Sequence, residues 1–129
     1  MRDERTIRTR LDAYVEAWRT DDREAFLGLW ADDAHWEDPV GSAPMRGRDA
    51  IAEFWDKTHA APMTLRPEPE RVIVCGDEAM LIFRMCVRGA DGGGMDLYVA
   101  EHFEFDDGGR IVRARAFWDD ACRTPVLPT

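Results

Sequence analysis

An aspartate that follows an indole and precedes a proline is the part of this sequence best suited to acid and base chemistry. Asp38 lies two residues after Trp36 and directly before Pro39. If residues 35–38 form a short strand, side chains alternate between its two faces, so Trp36 and Asp38 share one face. A carboxylate held there against apolar surface is a candidate general base. The alternative is structural, because an aspartate before proline commonly begins a turn.

A second carboxylate, Glu101, interrupts an otherwise apolar row of alternate residues. The other members of that row are Met95, Leu97, Val99, Phe103 and Phe105. A charged carboxylate inside an apolar face is costly unless it is paired or protonated, and desolvation raises its pKa. We therefore expect Glu101 to point inwards in an unusual protonation state, unless a bulge turns it towards solvent.

Three helices are predicted ahead of the strands. The first carries an apolar stripe at helical spacing that includes Tyr14, with Asp3 available as its N-cap. The second is short and ends near Ala31, where Asp32 and Asp33 resemble turn residues. The predicted helices occupy residues 3–19, the stretch between residue 22 and Ala31, and a third stretch from residues 47–49 to a point before Pro62.

From residue 64 onwards the apolar pattern changes from helical to alternating. Strands are predicted within 64–75, with a bulge, and then around 81–87, at 95–105 and from 110 to about 118. Helices followed by hairpin-connected strands indicate an α+β fold. We expect a cone-shaped α+β barrel, with three N-terminal helices packed in the concave face of a curved mixed or antiparallel sheet.

Length, composition and charge limit the classes of protein that fit. The chain has 129 residues, of which 45% are hydrophobic and 33% charged, so residues 1–129 are expected to form one domain. No apolar run approaches the ~20 residues of a membrane span, and the amino terminus lacks a signal-peptide pattern, which predicts a cytoplasmic protein. The formal net charge of −9 argues against nucleic-acid or anionic-membrane partners.

The three cysteines, Cys75, Cys86 and Cys122, are widely spaced and form no CxxC or CxH pattern. This spacing favours reduced thiols over a disulfide or a metal site. We expect neither a metal nor an organic cofactor.

The sequence resembles the steroid Δ-isomerases, also called ketosteroid isomerases, within the superfamily of cone-shaped domains similar to nuclear transport factor 2 and SnoaL. The resemblance runs from the first helix to the last predicted strand. It rests on Ala13-Tyr14-Val15, Trp30-Ala31-Asp32-Asp33-Ala34, Glu37-Asp38-Pro39-Val40-Gly41-Ser42, Gly47 with Ala50-Ile51 and Phe54, Glu101-His102-Phe103 with Phe105, Gly109-Arg110-Ile111 and Phe117-Trp118.

The resemblance implies a role for each of three side chains. Asp38 would shuttle a proton, while Tyr14 and a protonated Glu101 would donate hydrogen bonds to the carbonyl oxygen of a 3-ketosteroid. A carboxylic acid kept neutral by an apolar site is a known property of this family. The double bond would move from β,γ to α,β conjugation through a dienolate.

This chain departs from the family at several positions. It has glutamate where the family most often has aspartate, and Trp30 and Trp55 stand where some relatives have tyrosines that support the donor tyrosine. An indole donates a hydrogen bond but cannot accept one.

An apolar cavity for a flat polycyclic substrate would be lined by aromatic and aliphatic residues. The residues expected to bind substrate are Phe54, Trp55, Phe83, Met85, Val99, Phe103, Ala116 and Trp118. Relatives commonly form homodimers through the outer sheet face, which here includes Tyr98, Arg113, Arg115 and Phe117.

Two other functions fit the same fold. An epoxide hydrolase or polyketide cyclase would need a further acid, for which Glu68 and Glu70 are the nearest candidates. The protein could also be a non-catalytic carrier of apolar ligands. In that case Tyr14 would be an ordinary core tyrosine, and its occurrence together with Asp38 and Glu101 would be accidental.

Overall fold

The computed structural model describes residues 3–129 and contains three α-helices. They are α1 (Glu4–Thr20), α2 (Arg23–Gly28) and α3 (Arg48–Thr58). Helix α1 is capped as predicted, because the Asp3 side chain accepts a hydrogen bond of 2.8 Å from the backbone N–H of Thr6. The buried stripe of α1 includes Tyr14, so the helix carries the phenol into the interior.

The strands form one sheet of mixed direction. They are β1 (Trp30–Glu37), β2 (Met45–Arg46), β3 (Thr64–Cys75), β4 (Glu78–Arg88), β5 (Gly94–Phe105), β6 (Ile111–Phe117) and β7 (Arg123–Val126). The order across the sheet is β2-β1-β6-β5-β4-β3, and β7 pairs with β5. Strands β1 and β6 are parallel, whereas the other pairs are antiparallel. The α+β cone is therefore confirmed, with a sheet that is open rather than closed into a complete barrel.

The β-bulges of the sheet leave Glu101 on its inner face. Strand β3 shifts register between Pro69 and Arg71, as the prolines predicted. Strand β5 shifts only between Glu104 and Phe105 in its pairing with β6, beyond Glu101. Glu101 is consequently 1% exposed, and the predicted inward orientation is confirmed.

Two sequence-based expectations about the elements were wrong, and two short strands were missed. Helix α2 ends at Gly28 rather than near Ala31, and Asp32 and Asp33 belong to β1 rather than to a turn. A register shift between Trp30 and His35, where β1 pairs with β6, places both aspartates in an irregular, exposed part of the strand. Their turn-like composition reflects that irregularity. Strands β2 and β7 were not predicted.

The helices and the inner sheet face enclose a strongly aromatic core. Phe26, Trp30 and Phe103 are fully buried within it. No helix among residues 3–129 has both the length and the apolar character needed to span a membrane.

Candidate active site

A cavity of about 340 Å³ lies between the helices and the inner sheet face. This volume falls in the range of small-molecule sites. Nearly all of its walls are apolar, and its only ionisable side chains among the described residues are those of Tyr14, Asp38 and Glu101. The full lining consists of Tyr14, Trp18, Trp36, Asp38, Pro39, Phe54, Thr58, Leu65, Phe83, Met85, Val87, Leu97, Val99, Glu101, Ala116 and Trp118.

Tyr14 and Glu101 form a buried hydrogen-bonded pair. Helix α1 supplies the phenol and β5 the carboxyl group, and the Tyr14 hydroxyl lies 3.1 Å from Glu101 Oε1. Tyr14 is 2% exposed and Glu101 1% exposed. Phe103, two residues along β5, packs edge-on against the Tyr14 ring with 5.0 Å between ring centroids. The phenol is therefore held beside the carboxyl group by packing as well as by the hydrogen bond.

The second oxygen of Glu101 has its own partner. Trp36, in β1, donates its indole N–H to Glu101 Oε2 over 2.9 Å. The Trp36 ring packs against Trp30 at 5.1 Å and against Phe54 at 5.0 Å between ring centroids. Both oxygens of Glu101 are thus hydrogen-bonded, to groups on two different elements.

The environment of this pair favours its neutral forms. Burial, followed by the nearby charge of Asp38, raises the pKa of Glu101 to about 8, although the hydrogen bonds from Tyr14 and Trp36 act in the opposite direction. Burial and the charges of Glu101 and Asp38 raise the pKa of Tyr14 well above its ordinary value. At neutral pH the cavity therefore holds two protonated oxygen acids side by side.

Asp38 lies half-buried in the same cavity, just after the end of β1. Burial raises its pKa, and a hydrogen bond of 2.8 Å from the indole N–H of Trp118 to Asp38 Oδ1 lowers it. The parallel pairing of β1 with β6 brings these two residues together, although they are 80 positions apart. The backbone N–H of Val40 also donates to the Ala116 carbonyl over 2.8 Å, which fixes the chain after the cis Asp38–Pro39 peptide bond.

Two residues expected to bind substrate lie outside the cavity lining. Trp55 is 3% exposed and packs against Trp18 and Phe26, with ring centroids 4.6 Å and 4.5 Å apart. Phe103 is fully buried behind Tyr14. Both expectations need correction, because alternation along a strand or helix selects the buried face but not the part of that face which borders the cavity.

The other predicted binding residues line the cavity as expected. These are Phe54, Phe83, Met85, Val99, Ala116 and Trp118. Sequence reasoning did not place Trp18 in the lining, and it did not find the hydrogen bond from Trp36 to Glu101. The prediction that Trp36 shares a strand face with Asp38 would have indicated that the Trp36 indole points towards the same cavity.

Glu68 and Glu70 do not line the cavity. Glu68 is exposed and pairs with Arg84 at 3.1 Å. Neither glutamate can therefore protonate an oxygen bound inside. Among residues 3–129, no group of three or more His, Cys, Asp or Glu side chains is arranged to hold a metal ion.

Comparisons with known proteins identify the family of this chain. Residues 11–114 match the SnoaL-like domain family. A steroid Δ-isomerase of Nocardioides simplex is 31% identical over 115 residues, which cover 87% of this chain and 89% of the relative.

Two solved structures share the fold over nearly their whole length. A Δ5-3-ketosteroid isomerase from a Mycobacterium species superposes with a TM-score of 0.83 at 26% identity, covering 94% of this chain and 98% of the other. An epoxide hydrolase/cyclase-like enzyme of pyran ring formation in the polyether salinomycin gives a TM-score of 0.88 at 20% identity, covering 98% and 100%. The latter likeness concerns the fold alone.

Proposed function

This chain belongs to the steroid Δ-isomerase family of SnoaL-like domain proteins, and we propose that it moves the double bond of a β,γ-unsaturated 3-ketosteroid into conjugation. The observation that supports this proposal best is the composition of the cavity. One half-buried carboxylate, Asp38, shares it with two acids whose pKa values are raised, Tyr14 and Glu101.

The reaction begins with removal of a proton by Asp38. The carbon between the carbonyl group and the double bond is a much weaker acid than a carboxylic acid, so its deprotonation requires stabilisation of the charge that develops on the ketone oxygen. Tyr14 and neutral Glu101 supply hydrogen bonds to that oxygen. Because both side chains are already held in place, only the Tyr14 O–H has to turn from Glu101 Oε1 to the ketone oxygen, and the dienolate forms with little reorganisation of solvent.

The second step returns the same proton. Protonated Asp38 gives it to the γ carbon, the electron pairs of the dienolate shift back, and the product is the conjugated ketone. The proton returns to the substrate, and Asp38 regains its charge. The hydrogen bond from Trp118 stabilises the charged form of Asp38 between turnovers.

The apolar walls support a flat, largely hydrocarbon substrate. Aromatic and aliphatic residues such as Phe83, Val99 and Ala116 make up most of the lining, and its ionisable groups among the described residues are Asp38 and the Tyr14–Glu101 pair. A steroid-like ketone, with one polar oxygen at the end that reacts, matches this distribution.

The test is the appearance of ultraviolet absorbance from a conjugated enone when a Δ5-3-ketosteroid is added. We expect Asp38→Asn to lower kcat by about 1,000-fold, since it removes the proton acceptor. Asp33→Asn is the matched control, because Asp33 is exposed on β1, five residues before Asp38, and does not line the cavity.

Three results would count against the proposal. Absence of turnover in the parent protein, with the steroid bound, would favour an apolar-ligand carrier. Absence of both turnover and binding would reject the steroid as the ligand. Equal turnover in the parent and in Asp38→Asn would remove Asp38 from its assigned role.

We further propose a homodimer formed through the outer face of β5 and β6. Tyr98 and Phe117 are 46% and 44% exposed there. Arg115 lies over the Phe117 ring at 5.4 Å from its centroid. Exposed aromatic rings beside arginine are typical of protein interfaces.

A further inference from the structure

The hydrogen bond from Trp36 to Glu101 has a direction that bears on where the Glu101 proton resides. An indole N–H donates and cannot accept, so Glu101 Oε2 must accept at this contact. In a neutral carboxyl group the carbonyl oxygen is the better acceptor and the hydroxyl oxygen carries the proton. The contact of 2.9 Å therefore favours the carbonyl form of Oε2.

We propose that Trp36 is a positioning residue that assigns the acidic proton of Glu101 to Oε1, the oxygen beside the Tyr14 hydroxyl. This inference rests on the proposed function, because it concerns the pair of donors to the ketone oxygen. In the structure the Tyr14 hydroxyl donates to Oε1 over 3.1 Å. A phenol, unlike an indole, can also turn its O–H elsewhere and accept, so a single ligand oxygen can lie within hydrogen-bond distance of both groups and accept from both.

The surroundings of Glu101 leave Trp36 and Tyr14 as its two described hydrogen-bond partners. Its neighbours across the sheet are Leu81 on β4 and Ala116 on β6, which offer no polar side-chain atoms. The other ionisable groups that line the cavity are Tyr14 from α1 and Asp38 after β1. Without the indole, the carboxyl proton would be free to occupy Oε2, which lies on the side away from Tyr14.

The same contact makes Glu101 a stronger acid. Donation to Oε2 stabilises the carboxylate and lowers the pKa that burial raises. A stronger acid is a better hydrogen-bond donor to a developing enolate. Trp36 thus acts on the reaction through Glu101 without touching the reacting atoms.

The chain supplies a matched control for Trp36. Trp30 is fully buried in the same aromatic cluster, 5.1 Å from Trp36 between ring centroids. Its indole N–H has no hydrogen-bond partner among residues 3–129. Both substitutions remove packing from this cluster, but only Trp36→Phe removes a hydrogen bond to Glu101 and alters the cavity lining. The pH midpoint, rather than kcat alone, therefore separates the hydrogen bond from the change in cavity shape.

The kinetic test compares these two variants over a range of pH. We expect Trp36→Phe to lower kcat about fivefold, the size of one net hydrogen bond, with KM within about twofold of the parent value. We also expect it to move the alkaline midpoint of kcat/KM to higher pH, because the Glu101 carboxylate loses a donor. Trp30→Phe should leave the midpoint in place. Equal midpoints in the two variants would overturn the inference.

A spectroscopic test needs neither turnover nor a folded variant of Trp36. In the nitrogen-15 spectrum of the parent protein, the Trp36 indole N–H resonance should shift as Glu101 ionises, with a midpoint of about pH 8. The Trp30 indole resonance should not shift with that midpoint. Glu101→Gln should abolish the pH-dependent shift of the Trp36 resonance. A flat Trp36 resonance would overturn the inference.

The two proposals fail in different ways. If the parent does not isomerise the steroid but its Trp36 resonance titrates with Glu101, the proposed function fails, while the hydrogen bond from Trp36 to Glu101 stands. If the parent isomerises the steroid and the Trp36 resonance is flat, the positioning role fails alone.

Discussion

At the scale of single residues, the cavity separates two carboxyl groups by environment. Glu101 is enclosed and lies near another negative charge, so its pKa rises to about 8. Asp38 is half-buried and accepts from Trp118, so the rise in its pKa is opposed. One carboxyl group is therefore suited to donate a hydrogen bond and the other to accept a proton near neutral pH.

The raised pKa of Glu101 should also be visible in the stability of the fold. Between the ordinary pKa of 4.5 and about 8, the unfolded chain loses this proton while the folded chain keeps it. The folded state binds more protons, so the free energy of unfolding decreases as pH rises through this window. Burial also raises the pKa of Asp38, which adds to the effect in the same direction.

We expect Glu101→Gln to remove most of that decrease. Urea denaturation at pH 5, 6, 7 and 8 should show a falling midpoint for the parent and a flatter profile for the variant. Glu104→Gln, on the opposite face of the same strand, is the control and should follow the parent. Parallel profiles for parent and Glu101→Gln would show that Glu101 ionises normally in the folded state.

The sequence predicted which side chains belong to the site and which face of a strand they occupy, but not which atoms they contact. Asp38 and Glu101 were recognisable because each is a carboxylate on an apolar face. The partner of Glu101 Oε2 was not, because the direction of an indole N–H depends on a side-chain torsion and on the distance between β1 and β5. Trp55 was wrongly placed in the cavity for a similar reason, since helix α3 turns that ring towards Trp18.

At the scale of elements, the β4–β5 hairpin sets the register of Glu101. Gly94 begins β5 opposite Arg88, and an added Cβ there would overlap the carbonyl oxygen of Val87 and lie 2.9 Å from its carbon. No side chain fits without displacing one strand. This close approach explains why a glycine stands where the hairpin closes.

Gly94→Ala should therefore destabilise the protein by about 1–3 kcal/mol, as overpacking does. Urea denaturation would measure the change. Gly28→Ala is the control, because nothing lies within 4 Å of a Cβ added at Gly28, and helix α2 should become no less stable. Equal stability of the two variants would show that the hairpin can relax around Val87.

Long, regular elements were predictable and short ones were not. Helix α1 and strands β3 to β6 have enough residues for their periodicity to appear in the sequence. Strands β2 and β7 have two and four residues. Each is defined by pairing with another strand, β1 and β5 respectively, and not by a pattern of its own. The parallel pairing of β1 with β6 likewise has no local signal.

At the scale of the whole molecule, the inner face of the sheet borders the cavity, and the outer face of β5 and β6 is the proposed dimer interface. If the outer face of β5 and β6 is a dimer interface, Phe117→Glu should convert a dimer into a monomer, because it replaces an apolar ring at the interface with a carboxylate that would have to lose its water on association. Sedimentation velocity would report the mass. Met63→Glu changes another exposed hydrophobic residue, away from this face, and should leave the dimer intact. A parent that sediments with the mass of one chain would exclude the dimer.

The groups around the cavity come from nearly the full length of the chain. Tyr14 meets Glu101 across 87 positions and Asp38 meets Trp118 across 80. While the protein is being synthesised, a nascent chain that has not yet emerged from the ribosome as far as residue 118 lacks one wall of the cavity and the donor to Asp38. Neither half of this domain, expressed as a fragment, holds all of these groups, so the cavity is complete only after Trp118 has folded into place.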